Sequence, residues 1–103
     1  MSSEQFRIAI DRDLENLIPE YILSIRSNIV RIQKMLEVND MESIRTMGHN
    51  MKGSGGGYGF NKITDIGLLI EDGAKANDAS AIRSGLKLLE HYLDNISIEF
   101  VEV

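Results

Sequence analysis

The sequence predicts an all-α fold, an antiparallel up-down four-helix bundle with a short extra helix at the N-terminus. Three observations carry this expectation. Four segments place apolar residues at alternating spacings of three and four, the period of a helix that buries one face. No alternating apolar–polar stretch of useful length stands out as a strand. The gaps between segments are short, which favours antiparallel neighbours.

The elements follow in order. Asp13-Leu14-Glu15-Asn16-Leu17 reads as a short helix capped by Asp13. Ile18 precedes the single proline, Pro19, and is pushed from helical angles, so a break is expected there. Pro19 then suits the opening turn of the first long helix, whose apolar row is Ile22, Ile25, Ile29, Ile32 and Leu36. The second helix starts after the capping pair Asn39-Asp40 and carries Met41, Ile44, Gly48, Met51, Gly55 and Tyr58. The third begins near Asn61 with Ile63, Ile66, Gly67, Ile70 and Ala74. The fourth follows Asn77-Asp78 with Ile82, Leu86, Leu89, Leu93, Ile96 and Phe100. The four share only their period, so there is no internal repeat. With 103 residues the chain suffices for one compact domain, expected to span residues 1–103.

Composition narrows the function. Hydrophobic residues make up 43% and charged residues 26%, as in an ordinary globular domain. The net charge is −5, and eleven Lys and Arg are scattered among sixteen acids, which argues against a nucleic-acid partner and an anionic-membrane anchor. No apolar run is long enough to span a membrane, and Met1-Ser2-Ser3-Glu4-Gln5 does not read as a leader, so a cytoplasmic location is expected. The absence of cysteine excludes disulfides, thiolate metal sites and a cysteine nucleophile. Two histidines far apart in sequence, without a Glu-x-x-His pattern, give no case for a metal site.

One constellation stands out on the second helix. On a helical wheel His49 falls roughly 130° from the centre of the apolar row, on the solvent side. Its neighbours on that face are Arg45 one turn before, Lys52 and Gly53 one turn after, and Gly56 two turns after. An imidazole nitrogen is a good nucleophile toward phosphorus when neutral, as a free imidazole largely is near pH 7. Arg45 and Lys52 lie where they would offset the charge of a phosphohistidine. Gly53 and Gly56 leave bare backbone for the close approach of another protein, whereas Gly48 and Gly55 lie on the buried face and suit a packing helix. Glycine inside a helix costs about 0.5–1 kcal/mol relative to alanine, so several in one helix imply such a use.

Blander readings stand beside these. A lone exposed histidine on a helix is most often an ordinary surface residue. Five of the nine glycines lie between Gly53 and Gly59, and such a run is often a flexible linker. Yet the apolar row continues through it to Tyr58, and a cut there would leave neither half a core. The run is not a nucleotide loop either, because Lys52 precedes the glycines instead of following them. His91, between Glu90 and Tyr92, has no lysine-glycine companion and reads as structural or solvated.

The segment His49-Asn50-Met51-Lys52-Gly53-Ser54, followed by Gly59 ten residues after the histidine, resembles the signature of histidine-containing phosphotransfer (HPt) domains. The resemblance extends over nearly the whole chain, and Gly53 to Phe60 is also similar to the phosphotransfer domain of chemotaxis histidine kinases. It implies that His49 is the phosphoacceptor, Lys52 the electrostatic partner of the phosphoryl group and Gly53 the clearance for a docking receiver domain. It also implies that Gly59 ends the helix in a left-handed conformation. Glu71 matches a family position that faces the histidine, where it would accept a hydrogen bond from Nδ1–H and leave Nε2 as the nucleophile. The rival reading makes Glu71 a surface carboxylate paired with Lys75.

The implied function is a phosphorelay intermediate. His49 takes a phosphoryl group from a receiver-domain aspartate and passes it to another receiver, with a hybrid or other histidine kinase upstream. No cofactor is expected in this chain, Mg²⁺ being held by the partner receiver, and no autophosphorylation from ATP is expected. A start at Met1 and an end soon after the fourth helix suggest a free-standing protein. Two alternatives stay open, the phosphoacceptor module of a histidine kinase and a non-catalytic binding bundle.

Overall fold

The computed structural model describes residues 5–102; residues 1–4, read above for a leader, lie outside it, as does Val103. Four α-helices form the body: α1 Ile18–Glu37, α2 Met41–Gly55, α3 Asn61–Lys75 and α4 Ala79–Asp94. Strand β1, Phe6–Asp11, precedes them and strand β2, Ile96–Val101, follows them. None of the described helices is long and apolar enough to cross a membrane.

Helix limits follow local chemistry. The Asp40 carboxylate accepts from Ser43 N–H at 3.2 Å and that of Asp78 from Ala81 N–H at 3.0 Å, each capping the helix it precedes. Asn39 and Asn77 adopt left-handed angles, φ 56° and 55°, where α1 and α3 end. The inward rows of all four helices meet in one core, where Ile32, Ile44, Phe60, Ile63, Ile70, Ile82 and Leu89 have no exposed surface.

Helices α2 and α3 approach most closely because glycines line their seam. A Cβ on Gly48 would stand 2.7 Å from the Glu71 nitrogen, and one on Gly67 would stand 2.5 Å from the Lys52 nitrogen. Backbone therefore packs on backbone, which places the Glu71 side chain next to the helix that carries His49.

Four expectations need correction. Strands β1 and β2 pair in parallel, with Phe6 opposite Ile96 and Asp11 opposite Val101, where no strand was expected. Phe6, Ile8 and Ile10 alternate with Arg7, Ala9 and Asp11, and Ile96, Ile98 and Phe100 with Ser97 and Glu99, so each strand turns one face toward the helices. Helix α4 stops at Asp94, and Ile96 and Phe100 belong to β2. An i, i+4 spacing satisfies both a helix and a strand, and here the pairing with β1 decides.

The short N-terminal helix is a 3₁₀ segment, Arg12–Leu17, and its cap is Asp11, which accepts from Asp13 N–H at 2.9 Å, not Asp13 itself. The expected break at Ile18 is absent. Ile18 has helical angles, φ −67° and ψ −45°, and opens α1 with its side chain 3% exposed. Burial outweighs the steric bias that Pro19 exerts, and the missing proline N–H falls in the first turn, where it has no helical acceptor.

Candidate functional site

The His49 ring stands on the solvent side of α2 with 64% of its side chain exposed. Its Nδ1 lies 2.9 Å from Oε2 of Glu71, and the other carboxylate oxygen, Oε1, accepts from the Lys52 ammonium at 2.7 Å. Glu71 is 4% exposed, the one charged residue buried among the described residues. The rival reading of Glu71 as a surface carboxylate therefore falls. Lys75 acts on it as a more distant charge and not as its partner.

Electrostatics assign the protons. The hydrogen bond from Lys52 holds the Glu71 carboxyl below its ordinary 4.5, against the opposing effect of burial and with help from His49. Glu71 is thus ionised at neutral pH and only accepts, so Nδ1 of His49 carries the proton. In the neutral imidazole this leaves the lone pair on Nε2.

A depressed folded-state value has a defined sign. The stability contributed by ionised Glu71 is fully present above 4.5 and is lost as pH falls through the folded value. Glu71→Gln should therefore melt below the parent at pH 7, and the gap should close in acid. Thermal melts across that range test this, and a gap that persists at low pH would contradict it.

Lys52 is one-third exposed and paired with Glu71. Arg45 is exposed and lines a shallow depression with Glu42, Thr46, His49 and Glu71. Gly53 is exposed and a Cβ there would meet nothing within 4 Å. Gly53→Ala should accordingly raise stability by about 0.5–1 kcal/mol, visible as a higher Tm. If bare backbone at Gly53 serves a docking protein, the same variant should exchange phosphoryl groups more slowly.

The other glycines lie further from the ring. A Cβ on Gly56 would lie 3.4 Å from Asn61 Oδ1 and 3.5 Å from Thr64 Oγ1, so that side of the backbone faces α3. Gly59 closes the 3₁₀ turn Gly56–Tyr58 with φ 96°, and a side chain there would press on Ile10 at 3.2 Å. His91 sits away from this constellation, edge-to-face with Phe6 at 5.8 Å between ring centroids. Among the described residues no cluster of His, Asp and Glu forms a metal site.

Three contacts escaped the sequence reading. Tyr21 and Ser54 hydroxyls lie 2.9 Å apart, tying α1 to the turn after Lys52. Thr64 bonds both the Lys52 carbonyl and the Gly56 N–H. Its spacing to Gly67 and Glu71, three and seven residues, was the available signal.

The model of the Hpt domain matches residues 5–98. The chain belongs to the Hpt domain family. It is thus a histidine phosphotransfer module of two-component signalling, and the Hpt match covers all four helices and every residue around His49. No curated protein and no solved structure matches the chain.

Proposed function

We propose that this Hpt domain is a phosphorelay intermediate that accepts a phosphoryl group on Nε2 of His49 from a receiver-domain aspartate and gives it to a second receiver. The observation that carries the reading is the 2.9 Å contact between Nδ1 of the exposed ring and the buried Glu71 carboxylate. A carboxylate in that position orients the imidazole and fixes its tautomer.

The Nε2 lone pair attacks the phosphorus of an aspartyl phosphate. The P–O bond to the aspartyl carboxyl breaks, and its electrons return to that carboxylate. The Nδ1 proton stays in place, so the phosphorylated ring becomes cationic, and the Glu71 carboxylate stabilises it across the existing hydrogen bond. In the return step a second aspartate attacks, and the N–P electrons go back to Nε2. Lys52 and Arg45 offset the charge on the phosphoryl oxygens. Gly53, where a side chain would point into open space, leaves room for the receiver.

The chain itself needs no cofactor in this scheme. The receiver's Mg²⁺ supplies the remaining charge neutralisation. A hybrid or other histidine kinase loads the first receiver, and the setting is cytoplasmic.

Incubation of the chain with phosphorylated receivers, and separately with histidine kinases and ATP, tests the proposal. An acid-labile, base-stable phosphate located on His49 and arriving from receivers supports it. Label arriving only from a kinase's ATP would instead make the domain a kinase's phosphoacceptor module. No label from any source would leave a binding bundle.

A further inference from the structure

Lys52 rests on a row of α3 residues, Thr64, Gly67 and Glu71, spaced three and four apart and so on one helix face. Each meets a different part of it. Glu71 accepts from its ammonium at 2.7 Å. Gly67 admits its backbone, since a Cβ there would stand 2.5 Å from the Lys52 nitrogen. The Thr64 hydroxyl donates to its carbonyl at 2.9 Å and accepts from Gly56 N–H at 2.8 Å.

In a continuing helix the N–H of Gly56 bonds the carbonyl of Lys52 directly. The Thr64 hydroxyl engages both groups of that rung, and just beyond it the α-helix gives way to the 3₁₀ turn Gly56–Tyr58. A side chain bonded at such a point ties the end of one helix to the face of the next. Here it acts on the carbonyl of the very residue whose side chain meets Glu71.

We propose that Thr64 is a positioning residue for phosphoryl transfer: its hydroxyl holds the Lys52 carbonyl and thereby sets where the lysine side chain starts relative to Glu71 and His49. The proposal rests on the transfer reading above. The hydroxyl is the operative group. A valine of the same shape sets a methyl against an N–H and a C=O, leaving both without the partner they had. Without the hydroxyl this tie between α3 and the Lys52 carbonyl is gone, and Lys52 shifts relative to Glu71. Helix α3 cannot follow, because its backbone already touches that of α2 at Gly48 and Gly67.

Thr64→Val and Thr64→Ser in the full chain test this. Two quantities are followed, the transfer rate from a phosphorylated receiver over a range of receiver concentrations and the titration of the Glu71 carboxyl by ¹³C NMR. Thr64→Val should lower the maximal rate about tenfold, as small misplacements of a positioned group do, with the half-saturating receiver concentration unchanged. The Glu71 titration should move up toward the ordinary glutamate range as Lys52 loosens. Thr64→Ser, which keeps the hydroxyl, should restore both.

A wild-type maximal rate in Thr64→Val overturns the proposal. So does a Thr64→Ser variant as slow as the valine, which would leave only packing by the γ-methyl. If no receiver phosphorylates the parent chain, the transfer reading fails, and the carboxyl titration alone decides the Thr64–Lys52–Glu71 linkage. An upward move in the valine variant only would support that linkage, and an unmoved titration would overturn it.

Discussion

Replacing His49 by glutamine should abolish phosphoryl uptake while leaving the domain folded. The amide of glutamine is not a nucleophile toward phosphorus, so uptake from a phosphorylated receiver should fall to background, a loss of more than about a thousandfold. The fold should tolerate the change because 64% of the His49 side chain is exposed and its one described polar contact is to Glu71. A glutamine N–H of similar reach can donate to the same carboxylate. The check is a time course of label transfer alongside thermal melting. Label retained by His49→Gln would place the acceptor elsewhere and remove the basis of the proposed function.

A second large effect concerns stability. Gly67 faces backbone, not side chain: a Cβ there would stand 2.5 Å from the Lys52 nitrogen, 2.9 Å from the Gly48 oxygen and 3.0 Å from the Lys52 Cα. Backbone atoms cannot turn aside as a side chain can, so even Gly67→Ala must push α2 and α3 apart. The cost should be about 3 kcal/mol, the upper part of the usual range for overpacking, despite the better helix propensity of alanine. In a domain of this size that corresponds to a fall of roughly 12–24 °C in Tm. The separation also draws Glu71 from His49, so transfer should slow in whatever fraction remains folded. Gly53→Ala, made in parallel on the open face, is expected to change stability in the opposite direction. Equal melting temperatures for the two variants would refute the account of the seam.

The helical part of the fold was legible in the sequence because caps and apolar rows agree. Asp40 and Asp78 stand where α2 and α4 begin, and the rows of Ile and Leu mark their buried faces. The Hpt resemblance rests on residues close together on one helix, so short-range spacing carries it. Glu71 was harder. Sequence alone offered both His49 and Lys75 as partners, and only the close approach at Gly48 and Gly67 sends its carboxylate toward α2.

What stayed hidden depends on distant pairing. Strand β1 is too short to be persuasive alone, and β2 continues the spacing of α4, so each gains its identity from the other across the length of the chain. Thr64 stayed hidden for another reason. A polar residue on a helix ordinarily reads as solvated, and its two hydrogen bonds exist only once α2 ends beside it.

The parallel ladder has a mechanical consequence. The chain enters it at Phe6, paired with Ile96, and leaves it at Val101, paired with Asp11. Tension applied to the two ends of the chain therefore pulls β1 and β2 past each other along their length. Every rung is loaded at once, in shear, instead of being peeled one at a time. Arg12 adds to this clasp through the Phe100 carbonyl at 3.3 Å and Glu102 at 3.3 Å. Under stretching, the helices that carry His49 and Glu71 are shielded until the clasp slips.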